Sequence, residues 1–180
     1  MEPVEITAGR LHLRPFATTD EDAVYAACQD AEIQRWTRVP SPYHRTDAHS
    51  FVTARAPRAW REDREYTFAV CDSTTAALLA SVGVSGLSVD GTGEIGYWVA
   101  AAARGQGVGT QAVAAVCRWG FAAVGYGRID WHAAVGNEGS RRVAEKVGFI
   151  VEGVLRSRLD LHGVRHDAWV AGLLPADLAT

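Results

Sequence analysis

Six consecutive residues, Arg104-Gly105-Gln106-Gly107-Val108-Gly109, have the composition of an anion cradle. They join an apolar run at 95–99 to an amphipathic pattern that starts near Gly109. Three glycines in five residues let successive backbone N–H groups converge with no Cβ in the way. A helix behind such a loop adds unpaired N–H donors and the positive end of its dipole, so the junction suits a phosphate. Two phosphate loops are excluded by spacing. A P-loop needs Lys and then Ser or Thr after its last glycine, whereas Thr110 and Gln111 follow Gly109. A dinucleotide fingerprint needs a further glycine where Ala112 stands, so Asp130, about twenty positions on, has no ribose to meet.

What remains is Arg/Gln-x-x-Gly-x-Gly/Ala between a strand and a helix, which resembles the acyl-CoA pyrophosphate loop of the GCN5-related N-acetyltransferases (GNAT). The flanks extend the resemblance. They are Glu94-Ile95-Gly96-Tyr97-Trp98-Val99, then Asn137-x-x-Ser140-x-x-Val143-x-Glu145-x-x-Gly148-Phe149, then Glu152-Gly153-x-Leu155-Arg156. With the opening Leu11-x-Leu13-Arg14-Pro15-Phe16 and the closing stretch 167–174, nearly the whole chain is similar to the RimJ/RimL-type, ribosomal-protein N-terminal branch. The resemblance implies an α/β (α+β) GNAT fold, one domain over 1–180, with a mixed, mostly antiparallel splayed sheet flanked by helices. It also implies acetyl-CoA or another acyl-CoA as co-substrate, no metal, and direct transfer within a ternary complex to a primary amine. The acceptor is then a protein or peptide N-terminus or a small amine, with succinyl transfer as an alternative donor chemistry. An acyl-CoA-binding module without turnover is the alternative from another class.

Acyl transfer from a thioester to an amine needs a neutral nucleophile, a donor for the carbonyl oxygen, and a proton for the thiolate. Glu94, on the strand that leads to the loop, can take the ammonium proton, or it is a solvated strand end. For the oxyanion the resemblance points to a backbone N–H near Trp98 or Val99, with the rings of Tyr97 and Trp98 as core and pocket wall. Asn137 and Ser140 both suit a helix cap. By resemblance Asn137 bonds the pantetheine amide or the reacting centre, and Ser140 is the proton donor, in a place where many relatives have a tyrosine. Arg142 and Lys146 are like charges at i, i+4, a pairing that favours a nearby anion such as the CoA 3′-phosphate. The resemblance thus places CoA against Tyr97, Trp98, Val99, Arg104, Gly105, Gln106, Gly107, Val108, Gly109, Thr110, Asn137, Arg142 and Lys146. Arg104 either reaches the pyrophosphate or supports the loop. His132 and Asp160 are second-choice bases.

The elements that must position these groups follow from periodicity. Leu11 and Leu13 alternate with His12 and Arg14 until Pro15 ends a strand. Thr18-x-x-Glu21 has the form of a capping box opening a helix through Asp30. Pro40, Ser41 and Pro42 break regular structure, after which Thr46 and Asp47 suit the cap of a second helix carrying Phe51, Val52 and Trp60. Strands are expected at Tyr66, Phe68 and Val70, at 78–87, at 94–99 after the Asp90-Gly91-Thr92-Gly93 turn, and at 129–135. Val113, Val116, Cys117, Phe121 and Val124 make one apolar helical stripe, ended by Gly125 and Gly127. A short helix over 138–147 closes at Gly148, and 149–159 with 164–174 form a hairpin around His162-Gly163.

With 180 residues, 48% of them hydrophobic and 22% charged, the chain is long enough for one sizeable core. Its net charge of −3 gives no general attraction to nucleic acid or anionic lipid. No run reaches the roughly 18 apolar residues of a membrane span, and residues 1–5 lack a signal-like pattern, so a cytoplasmic protein is expected. Cys28, Cys71 and Cys117 form no C-x-x-C pair and are expected as buried thiols, without a disulfide framework or a zinc site. A homodimer is the default oligomer.

Overall fold

The computed structural model describes residues 1–178; Ala179 and Thr180, the last two of the expected domain, lie outside them. Eight strands form one sheet: β1 (Ile6–Ala8), β2 (Leu11–Pro15), β3 (Glu65–Asp72), β4 (Leu78–Ser85), β5 (Thr92–Val99), β6 (Arg128–Ala134), β7 (Ile150–Leu161) and β8 (Val164–Leu173). Their order is β1-β2-β3-β4-β5-β6-β8-β7. Only β5 and β6 pair in parallel, as a crossover through a helix requires. That helix is α5 (Val108–Trp119), and its Ala112, Val113, Val116 and Cys117 are buried on the sheet face that carries Leu11, Leu13, Phe68, Val82 and Ile95. The opposite face carries Ala69 and Cys71 and is covered by α1 (Glu21–Ala27), α2 (Ala31–Trp36), α3 (Arg45–Ser50) and α4 (Ala56–Arg61). Period-two alternation along β3 therefore feeds two cores.

The feature that makes a site is the divergence of β5 from β6. They pair only from Thr92↔Arg128 to Ile95↔Trp131. Beyond that, β5 stays on β4 as far as Ala80↔Val99, and β6 stays on β8 as far as Ala134↔Ala168. A gap opens between them, with α6 (Glu138–Val147) starting beside it.

Several expectations need correction. The first helix is shorter than expected: Asp20, not Thr18 or Glu21, organises its entry by accepting the Ala17 N–H at 2.8 Å and pairing with Arg14 at 2.7 Å. Asp30 opens the unexpected α2 instead, its Oδ1 accepting the Ile33 N–H at 3.0 Å. The second helical run begins two residues before the expected Thr46 cap, with His44 as N-cap giving its N–H to Asp47 at 2.8 Å. It passes through a π-helical turn at Phe51–Arg55 before α4, where Pro57 has no N–H to continue an α-helical ladder. Strand β1 is not among the expected strands, the strand expected at 78–87 stops at Ser85, and β5 takes in Thr92 and Gly93 of the expected turn. The glycine stops agree with the pattern. Gly148 closes α6 at φ 115°, Gly125 ends the α5 run at φ 87°, and His162 and Gly163 turn the last hairpin with φ 56° and 80°. All three cysteines are free and buried.

Candidate active site

The glycine loop forms one end of a cavity of about 970 Å³ that passes through the gap. Gly105 and Gly107 have φ of 74° and 78°, the left-handed region that favours glycine, and a Cβ on either would project into open space within the cradle. Helix α5 starts with no side-chain cap on its first turn. The N–H groups of Val108, Gly109 and Thr110, all on the cavity wall, are thus left for an anion. Gly109 brings the helix close, since a Cβ there would lie 3.2 Å from Val99 and 3.4 Å from Val143.

The loop's long side chains face other partners. Arg104 pairs with Asp30 at 2.5 Å and donates to the Val99 carbonyl at 3.2 Å, which holds the Asp30 carboxyl below its usual range. Gln106 accepts from Arg10 at 3.1 Å and donates to the Ala102 carbonyl at 2.7 Å. Of the two weighed roles for Arg104, loop support is therefore the one with contacts, and Gln106 shares it. Arg142 and Lys146 do border the cavity, whereas Arg141 turns away to Glu145 at 2.8 Å. The donor set fits the phosphates of an acyl-CoA: uncapped main-chain N–H groups, a glycine floor and two nearby cations.

At the point where the strands part, three side chains close a hydrogen-bond circuit. The Ser140 Oγ accepts from Trp131 Nε1 at 3.2 Å and donates to the Tyr97 hydroxyl at 2.9 Å. Tyr97 in turn donates to the Ser140 carbonyl at 2.9 Å. Burial pushes the Tyr97 hydroxyl up to about 12, so it stays protonated at neutral pH. A tyrosine does accompany Ser140, then, but it comes from β5 and is 43 positions away in the chain. Ser140 is not the cap of α6. Asn137 is, its Oδ1 accepting the Ser140 N–H at 3.2 Å, and the residue lines the cavity.

Main-chain direction along β5 can be followed from its neighbours. The Ala100 N–H bonds the Leu79 carbonyl at 2.9 Å and the Glu94 N–H bonds Ser85 Oγ at 2.8 Å, both toward β4. Strand groups alternate sides, so Trp98 also faces β4 while Tyr97 and Val99 present their N–H groups to the gap. Of the two oxyanion candidates, Val99 is the one so turned.

The far end of the cavity is polar. Glu94 Oε2 lies 3.4 Å from His132 Nδ1, a contact too long for a good hydrogen bond. His132 Nδ1 is sealed from solvent with no hydrogen-bond partner. The imidazole, with the charges of Arg38 and Arg158, holds the Glu94 carboxyl below its usual range, against burial, which works the other way. Asp160 sits in the hairpin turn instead, accepting the Gly163 N–H at 2.8 Å, away from the cavity wall.

Sequence reasoning missed the rest of this end. Cross-strand register aligns Thr67, Gly83 and Gly96 in one row, and sets Glu65 opposite Ser85, whose Oγ accepts the Glu94 N–H. The Glu65 carboxylate bonds Thr67 Oγ1 at 3.1 Å and lies over Gly83, and Gly96 is open above. Arg38 enters from the segment after α2. Only register brings these residues together, and no local spacing announces it.

Comparison with known proteins agrees with this geometry. Residues 10–150 match the family model described as the acetyltransferase (GNAT) domain. An 81-residue stretch, 45% of the chain, is 41% identical to YdaF of Bacillus subtilis (strain 168), whose name assigns it provisionally to ribosomal N-acetylation; the match spans 44% of that protein, under half its length. YoaA of the same organism, an uncharacterised N-acetyltransferase, is 27% identical over 92% of this chain and 93% of its own. Mycobacterium smegmatis RimJ, solved in complex with CoA-disulfide, superposes with a TM-score of 0.84 at 23% identity, covering 99% of this chain and 88% of that one.

Proposed function

This chain belongs to the GNAT acetyltransferases, and within that acyl-CoA-dependent family we propose that it moves an acetyl group from acetyl-CoA to the α-amine of a protein or peptide N-terminus, as a RimJ/RimL-type member. One observation carries the reading: a single cavity joins an uncapped helix start behind a glycine loop to the Glu94–His132 pair, through the gap between β5 and β6. The name of YdaF and the likeness to RimJ support a protein N-terminus as acceptor.

Acetyl-CoA supplies the acyl group as an activated thioester. The N–H groups of 107–110, with Arg142 and Lys146, hold its phosphates, and Asn137 Nδ2 steadies the pantetheine arm. The Val99 N–H faces the carbonyl oxygen as it becomes negative. Ser140 gives a proton to the thiolate by turning its O–H away from the Tyr97 hydroxyl, which then donates to Oγ in place of the Ser140 carbonyl, and the Glu94–His132 pair relieves the incoming ammonium of its proton.

The test is thiol release from acetyl-CoA and from succinyl-CoA across a panel of N-terminal peptides and small amines. Amine-dependent release, greatest with acetyl-CoA and with peptides, is the expected result. Tight CoA binding without release across the panel would make the chain an acyl-CoA-binding module instead. Faster release from succinyl-CoA would reassign the donor.

A further inference from the structure

The Glu94–His132 pair holds two groups able to accept a proton, and the surroundings of the two ring nitrogens distinguish them. His132 is the first residue of β6 beyond its last pairing with β5, Ile95↔Trp131, and so falls in the row of Gly96, diagonal to Glu94. Its side chain is 9% exposed, against 42% for Glu94. Nδ1 is sealed and faces Glu94 Oε2 at 3.4 Å. Nε2 makes no hydrogen bond within the protein and belongs to a ring that lines the cavity, beside the open floor at Gly96. A lone pair on Nδ1 would confront a carboxylate, whereas a proton there is attracted to it, so the carboxylate selects the Nδ1–H tautomer. That leaves the Nε2 lone pair in the cavity.

Resting on the acetyltransferase reading above, we propose that His132 Nε2 takes the proton from the acceptor ammonium and that Glu94 is a positioning residue, acting through Nδ1–H. The chemistry of the two groups agrees with this. A carboxyl held below its usual range is a weak base near neutrality, whereas the Nε2 lone pair of a neutral imidazole is free to accept a proton. The other charges around the pair are Glu65 from β3, Arg38 after α2 and Arg158 on β7. The protons balance. One leaves the ammonium for Nε2, and the freed lone pair forms the C–N bond. The C–S bond then breaks, the second proton shed by nitrogen goes to sulfur through Ser140, and Nε2 returns its proton to water.

His132→Asn is the discriminating variant, because its amide N–H stands where Nδ1–H stood and can still support Glu94. The assay uses acetyl-CoA and the best acceptor from the peptide and amine panel, with CoA affinity measured by calorimetry as the check on folding. The proposal expects kcat to fall by about 10²-fold with CoA affinity kept. A loss smaller than about tenfold, or a larger loss in Glu65→Gln than in H132N, overturns it. A wild-type chain with no amine-dependent thiol release overturns both this proposal and the reading it rests on. The second readout is independent of turnover: ¹⁵N resonances of the His132 ring should report Nδ1–H in the wild type and a shift toward Nε2–H in Glu94→Gln. A wild-type ring protonated at Nε2, or a tautomer indifferent to E94Q, overturns the positioning role of Glu94.

Discussion

At the glycine-loop end of the cavity the groups on offer are main-chain N–H donors from one short run, and the long side chains of Arg104 and Gln106 hold that run in place from behind. At the Glu94–His132 end the groups on offer are side chains, contributed by β3, β5, β6 and the segment after α2, and glycines serve as empty floor between them. A main-chain cradle depends on backbone conformation, so few replacements there are tolerated. A side-chain pocket on a sheet face depends on register and can be re-lined residue by residue while the sheet survives. On the proposed reading, one cavity combines a constant donor site with an adaptable acceptor site.

The contrast breaks most severely at Gly107. With φ at 78°, any other residue is strained by about 1–2 kcal/mol, and a glutamate adds its own anion to the cradle. Gly107→Glu should weaken CoA binding by at least about 10²-fold, or about 2.7 kcal/mol, in a calorimetric titration while the fold mostly survives. Near wild-type affinity would remove the loop from the binding site.

Next comes Ser140→Ala, which tests the circuit between the two ends. The hydroxyl is needed most when the thiolate departs, so kcat should drop by about 10-fold to 10²-fold with CoA affinity nearly unchanged. Trp131 Nε1 loses its acceptor in the same variant, and melting should shift down by the equivalent of about 1–3 kcal/mol. Ser140→Thr keeps a hydroxyl and should recover much of the rate; a wild-type kcat in S140A would leave the residue a structural role only.

A smaller effect is expected at the floor of the Glu94–His132 end. Nothing lies within 4 Å of where a Gly96 side chain would begin. Gly96→Val should raise the acceptor KM about tenfold, or about 1.4 kcal/mol, and leave CoA affinity alone. If calorimetry showed CoA binding lost instead, the two ends would not be separable.

The mildest change is at Arg142 and Lys146, which are exposed. Replacing both with alanine should weaken CoA several-fold, by about 1 kcal/mol, in a manner that fades with added salt. Dephospho-CoA should be indifferent to the pair if they meet the 3′-phosphate, and an equal loss with either ligand would point to the pyrophosphate.

The same contrast explains what the chain discloses before it folds. The loop, α6 with its Asn137 cap, and the final hairpin are each written within a dozen or so neighbours, where turn and capping chemistry act locally. Helix α2 escaped because it is six residues long and its cap, Asp30, looks equally suited to ending the helix before it. Glu65, Gly83 and Arg38 escaped for another reason: their meeting depends on which strand lies beside which and in what register, and on a segment broken by Pro40 and Pro42. The Tyr97 hydroxyl beside Ser140 is the same lesson, a contact between β5 and α6 that linear spacing does not express.

The circuit of Ser140, Tyr97 and Trp131 ties one strand on each side of the gap to the start of a single helix. The aperture between β5 and β6 is in this way braced by the protein's own side chains. Opening a wedge in a sheet costs backbone pairing, and here that cost lies in the stability of the apo protein. On the proposed reading, arriving substrates would meet a preorganised jaw, and their interactions would go into stabilising charge that develops during the reaction.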